Sequence, residues 1–450
     1  MKTIALTSAL ALFATLAFTT IGFSDEKPAL PVIQEPENNA RNRGSILDRK
    51  NVPLAIDNHE GLRTYPTGKS SAHLVGYVGK NDSKEPIPSR RIFGMEMIGD
   101  PTLSQKKNLT LTIDSKLQKH CYDLLAAQEH PGSIVVQDPA TGEILALVSY
   151  PSFDNNLFIP GITKENFDIL NDDRRHPFVN RATSNFIPGP MAKLLAALAG
   201  EYAGLNNPEI HCKGFMSFGK EGKLKIRDWK RNRDELLRIP GALETSCNPY
   251  FMELANRAGA ESLTQVGNLF HLNEKPLDAL LSSKGRWNQL FDGEHYTPAT
   301  LALTSIGQGN TSLTPLHVNT ITSAIASGTW HQPQLILGQA KTKPSTPLIG
   351  QGKITANSLD VIREGMHLTV HGKRGTGKRA TVPGIELAGK TGTAQVNSKK
   401  YPTHNSWFTG YGPYENPQYS VTVLLAGAKS GGTFAAPIAA KVFETLLGSQ

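Results

Sequence analysis

The side chains in this sequence that could do chemistry sit in three short motifs spread over about 200 residues. Lys193 lies one turn into "FIPGPMAKLLAAL" (186–198), "SCN" (Ser246–Asn248) precedes the apolar run "YFMELANRAG", and "KTGT" (Lys390–Thr393) lies in "IELAGKTGTAQV". S-x-x-K, S-x-N and K-T-G together are the pattern of acyl transfer by an activated serine. Each piece alone is weak; their order, their spacing and the element each falls on make the combination informative. The first piece is incomplete, because the residue three before Lys193 is Pro190. A fourth motif fails. "GKRGTGK" (372–378) fits G-x-x-x-x-G-K, but Arg379 stands where a phosphate loop needs Ser or Thr, and no buried strand precedes it. It reads as a basic surface loop.

The elements that must position these residues are legible in outline. "GSIVVQDPATGEILALVSYP" predicts a β-hairpin turning at "DPATG". "MAKLLAALAGEYAGL" predicts an apolar helix ending near Gly204, and a mostly helical middle follows to about residue 328. "IELAGKTGTAQV", "SWFTGYGP" and "YSVTVLLAG" predict three strands, and "APIAAKVFETLLG" a closing helix. Strands at both ends with helices between them predict an α+β domain whose sheet joins the termini.

Composition bounds the rest. The chain has 450 residues, 39% hydrophobic and 19% charged, which suits an ordinary globular protein of two or three domains. The net charge of +8 suits an anionic neighbour, but the Lys and Arg are scattered and no nucleic-acid motif stands out. Lys2 followed by an apolar run from Ile4 to Phe23 reads as a membrane anchor or a cleaved secretory signal, with the anchor favoured by its length. "SDEKPALPVIQEPENNARNR" reads as a linker. Cys121, Cys212 and Cys247 lack zinc spacing; they form one bridge and a free thiol, or three buried small hydrophobes.

From Arg43 onward the sequence resembles the class B penicillin-binding proteins, the membrane-anchored transpeptidases of peptidoglycan synthesis. The resemblance rests on "RGSILDRKNVPLA", "GMEM", "LTLTIDSKLQ", "DPATGEILALVSYPSFDNN", "SIGQGNTSLTPLH", "GKTGTAQ", "WFTGYGP" and "SGGTFAAPIA", in that order. It implies an α+β fold of the penicillin-binding protein and serine β-lactamase type, an antiparallel sheet flanked by helices plus a helical subdomain. The expected organisation is an anchor or signal at 1–24, a linker at 25–43, a small accessory domain at 44–110 and a transpeptidase-like domain at 111–450. It also implies roles. Lys193 would activate a nucleophile one turn before it, Ser246 would relay a proton, and Asn248 would hold the substrate amide. Lys390, Thr391, Gly392 and Thr393 would bind the substrate carboxylate and pair with the peptide or drug as an added strand. No cofactor, metal or nucleic acid is implied. The implied ligands are a peptidoglycan stem peptide or a β-lactam, with a cell-wall synthesis protein as a further partner. The implied location is the outer face of the inner membrane, or the periplasm if the first segment is cleaved.

The same resemblance puts the nucleophile at Pro190. Proline has no side-chain nucleophile and no backbone N–H to donate to an oxyanion, a donor whose loss alone costs about a hundred- to a thousandfold in rate. At the first turn of a helix it is structurally favourable. The expectation is therefore a family member that binds without acyl transfer. The alternative is an active enzyme using a displaced serine, Ser184 or Ser246. Trp407 and Phe408 are expected in the core.

Overall fold

The computed structural model describes residues 43–79, 92–230, 232–277, 280, 282–288, 296–396 and 403–448. The expected anchor or signal and the linker up to residue 42 lie outside these residues. Among the described residues no helix is long and apolar enough to cross a membrane.

The chain opens with four short strands, β1 (Ile46–Leu47), β2 (Pro53–Asp57), β3 (Arg63–Thr64) and β4 (Leu109–Thr110), in the order β3-β2-β1-β4. Helix α1 (Ser115–Ala126) follows, its N-terminus capped by Asp114, which accepts from the Lys116 and Leu117 amides. The predicted hairpin forms as β5 (Gly132–Gln137) and β6 (Ile144–Tyr150). Helix α2 (Ala192–Tyr202) is buried along nearly its whole length, as an apolar sequence on every face requires. The expected helical middle needs a correction: it begins with four short strands, β7 (Ile210–Cys212), β8 (Phe215–Phe218), β9 (Leu224–Arg227) and β10 (Glu235–Leu237). In "HCKGFMSFGKEGKLKIRDW" the glycines 214, 219 and 222 all adopt positive φ and break the helical run. Helices α3 (Ile239–Glu244), α4 (Asn248–Leu269), α5 (Pro315–Ser327) and α6 (Ala356–His371) come next. Strands β11 (Ala388–Val396), β12 (Thr403–Gly412) and β13 (Tyr419–Ala426) and helix α7 (Ala436–Leu447) complete the described chain.

The central sheet is antiparallel throughout, in the order β11-β12-β13-β5-β6, so the strands from the two ends of the α+β domain do meet. Helices cover both of its faces, and the strand sequence sorts between them. Val421, Val423 and Leu425 pack with Leu117, Cys121, Leu125, Ile438, Val442 and Phe443 of α1 and α7. Leu424 and Trp407 face the other cluster, built mainly on α2, α4 and α5. Under that face runs a buried polar seam. Asn319 of α5 donates to Gln137 Oε1 (3.2 Å) and Ser420 Oγ (3.1 Å) and accepts from Thr422 Oγ1 (2.9 Å). Thr409 bridges Thr322 and Thr422 at 2.7 Å each. Satisfied groups of this kind fix how α5 sits on the sheet, since any slip would leave them unpaired in the interior. The N-terminal strands share their apolar cluster with the central sheet: Ile46, Leu54 and Tyr65 pack in one group with Val135, Leu147, Leu316 and Leu335.

Candidate active site

Lys193 enters the interior on the first turn of α2, which is preceded by a 3-10 turn over Gly189–Met191. That turn is wedged tightly. Gly307 adopts φ +65°, its carbonyl accepts from the Gly189 amide at 3.1 Å, and a Cβ on it would lie 2.1 Å from the Gly189 carbonyl oxygen. Pro190 is half-buried inside the turn, where its fixed φ suits helix entry. On the far side Gly392 of β11 makes room for it, since a Cβ there would lie 2.9 Å from Met191 Cε and 3.3 Å from Pro190 Cδ.

"SCN" forms the corner between α3 and α4. Ser246 is buried and adopts φ +50°, an uncommon conformation for a residue with a Cβ. The corner aims its polar groups at Lys193, whose Nζ donates to the Ser246 carbonyl (2.7 Å), Ser246 Oγ (3.1 Å) and Asn248 Oδ1 (2.7 Å). Three acceptors match the three donors of an ammonium group. Lys390 enters from β11, fully buried, and donates to Ser246 Oγ (2.9 Å) and the Thr391 carbonyl (3.0 Å). The Ser246 hydroxyl therefore lies between two buried amines.

Burial pulls the Lys193 pKa down from its ordinary value to about 8, with the Arg233 charge adding to the effect and Asp228 opposing it. Burial, and then the charge on Lys193, hold Lys390 well below the ordinary lysine range. Two amines sharing one hydroxyl in a dry site favour a single shared positive charge. Such a site can hold an anion and can pass a proton through Ser246.

The expected residues thus converge: Lys193, Ser246, Asn248 and Lys390 share one hydrogen-bond cluster, and Gly392 lies against Pro190. Thr391 is turned to Thr376, Oγ1 to Oγ1 at 2.6 Å. Thr393 is exposed and accepts from the Gly431 amide (3.3 Å). Ser184, one of the two displaced-serine candidates, donates to the Asn180 carbonyl (2.7 Å). Among the described residues the Lys193 ammonium makes its hydrogen bonds to Ser246 and Asn248. Trp407 and Phe408 are fully buried, and Trp407 Nε1 donates to the Ile187 carbonyl (3.1 Å). All three cysteines are free and buried.

Other contributors were not legible in the sequence. Asp228 accepts from the Asn248 amide (3.0 Å) and pairs in the interior with Arg233, which also donates to Thr245 Oγ1 (3.0 Å). Trp229 Nε1 reaches the Thr245 and Ser246 carbonyls at 3.1 and 3.2 Å. Nothing local in "RDWKRNRDE" marks Asp228 and Arg233 for the interior; the connection between β9 and β10 turns them inward. The basic surface loop also reaches the site. Lys373 and Lys378 are exposed, but Thr376 between them reaches Thr391 of the site.

Comparison with known proteins places the chain in a family. Residues 132–444 match the family described as penicillin binding protein transpeptidase domain. The chain is 30% identical to the peptidoglycan D,D-transpeptidase MrdA of Acinetobacter baumannii, across 85% of this chain and 65% of that protein's length. Among solved structures it resembles Pseudomonas aeruginosa PBP2 in complex with WCK 5153, with TM-score 0.79 and 30% identity over 90% of this chain and 96% of that one. It also resembles the penicillin G acyl-enzyme complex of penicillin-binding protein A from M. tuberculosis, with TM-score 0.75 and 25% identity over 91% of this chain and 99% of that one.

Proposed function

The chain belongs to the class B penicillin-binding proteins, the peptidoglycan D,D-transpeptidase family of cell-wall synthesis, and from that premise we propose that it is a non-acylating member. It binds peptidoglycan stem peptides, or a protein partner in cell-wall synthesis, at the outer face of the cytoplasmic membrane. The observation that carries this reading is Pro190 at the head of an otherwise assembled site. Residue 190 offers no hydroxyl to attack a carbonyl and no N–H to stabilise an oxyanion, while Lys193 spends its three donors on Ser246 and Asn248. Lys193, Lys390 and Ser246 still present one positive charge to a carboxylate. Strand β11 is the sheet's edge, so its outer side can pair with an extended peptide.

A second reading, an active transpeptidase with a displaced serine, is favoured by one observation. Ser246 Oγ contacts both amines, at 3.1 and 2.9 Å, so a base is within reach of its proton. Intact-mass analysis after incubation with a labelled penicillin separates the two. The non-acylating reading expects no covalent adduct on the parent chain and an adduct mapping to residue 190 in Pro190→Ser. An adduct on the parent chain, mapped to Ser246, would replace it with the second reading.

A further inference from the structure

Outside the site just described, three metal-ligating side chains meet at the junction of α6 and the turn that feeds β11. His367 and His371 are four residues apart in the last turns of α6, and so on one face of it. Their rings stack with centroids 4.7 Å apart, and Tyr414 flanks His367 at 4.6 Å. Glu386, two residues before β11, reaches across to both. Its Oε2 lies 2.6 Å from His367 Nε2 and 3.6 Å from His371 Nε2, and one ligand atom from each of the three lies within 4.8 Å of the others.

We propose that His367, His371 and Glu386 form a binding site for a divalent transition ion of the zinc class, with a fourth position left to water. Two imidazoles at i, i+4 with a carboxylate from elsewhere in the chain are a zinc-type donor set. Around zinc, with bonds of about 2.0–2.1 Å, tetrahedral ligand atoms stand roughly 3.3 Å apart. The two distances to Glu386 bracket that value without rearrangement of the backbone.

The protons balance. The Leu387 amide donates to His371 Nε2 at 3.1 Å, which places that ring's proton on Nδ1 and a lone pair on Nε2. The ion competes with this bond for the Nε2 lone pair, so the site exchanges its metal and is not a permanent structural centre. At His367 the ion takes the place of the proton that Nε2 now shares with Glu386, and the neutral ring carries its proton on Nδ1. Binding ties the C-terminal end of α6 to the residues that lead into the strand bearing Lys390.

The test is calorimetric titration of the tag-free full-length chain, stripped of metal, with Zn2+. The expected result is one equivalent bound and a raised melting temperature. Both effects should disappear in His367→Ala/His371→Ala, while Glu386→Gln weakens binding about tenfold or more. Circular dichroism and melting of the metal-free variants control for folding, and Glu386→Gln keeps the test decisive if the double variant fails to fold. No binding by the parent chain, or binding unchanged in Glu386→Gln or the double variant, overturns the proposal. Penicillin labelling does not enter this readout, so its outcome and that of the functional reading are independent.

Discussion

Ser246 lies between two buried amines whose surroundings favour a single shared positive charge, and this gives the site its expected dependence on pH. Lys193 titrates near 8, far below the ordinary lysine, because burial penalises its charged form. Above that pH the shared charge is lost, so affinity for a ligand that presents a terminal carboxylate should fall. Equilibrium binding of a D-alanyl-D-alanine peptide from pH 6 to 10 should be flat at first and then drop above about 8. Affinity that rose through that range would show that Lys193 does not supply the charge. The stability effect has the opposite sign. A lysine whose folded pKa is depressed binds fewer protons in the native than in the unfolded state, so its contribution to stability improves as pH rises from about 8 to the unfolded value.

The turn carrying Pro190 is held by its neighbours as much as by its own sequence. Gly307 combines a positive φ with backbone contact to Gly189, so a Cβ there is refused both by conformation and by space. Gly307→Ala should cost about 2–4 kcal/mol from the left-handed backbone and the clash together, read as a fall in the denaturation midpoint. In the Pro190→Ser background it should also abolish any penicillin labelling, because the turn that aims residue 190 at Lys193 would shift. Labelling that survived Gly307→Ala would mean that the turn is not positioned by this contact. The corner bearing Ser246 depends in the same way on the connection between β9 and β10, which supplies Asp228, Trp229 and Arg233 behind it.

Across the molecule, buried charge joins the N-terminal strands to one another. Glu96 and Arg63 have fully buried side chains; Glu96 Oε1 accepts from Arg63 Nε at 2.6 Å and its Oε2 faces Arg43 Nε at 3.3 Å. Arg43 continues to Asp100 and Arg63 to Asp57. Removing one member strands the rest, so Glu96→Ala should destabilise the chain by about 3–5 kcal/mol, measurable by denaturant unfolding. Asp48 makes a second tie, accepting from both the Ser115 amide (3.1 Å) and hydroxyl (2.7 Å) at the start of α1. Since Ile46, Leu54 and Tyr65 also share a core with Val135 and Leu147, the loss should appear as one cooperative transition. Two separate transitions would mean that the strands fold independently.

The sequence by itself determined the α+β class, the hairpin, the three late strands, the apolar helix and the identity of the three motifs. Periodicity and turn residues are local, and the type of a side chain is read directly. It also determined that position 190 holds no nucleophile. Two of the three residues of the His367–His371–Glu386 cluster stand in the sequence as an i, i+4 pair, but nothing local links that pair to Glu386 fifteen residues beyond. Only the tertiary structure decided that Ser246 sits between Lys193 and Lys390 and that Asp228 and Arg233 turn inward. It also placed Thr376 of a basic loop against Thr391. Those facts depend on groups 15 to 144 residues apart meeting in the dry interior. There desolvation, absent from any local pattern, sets which amine keeps its proton.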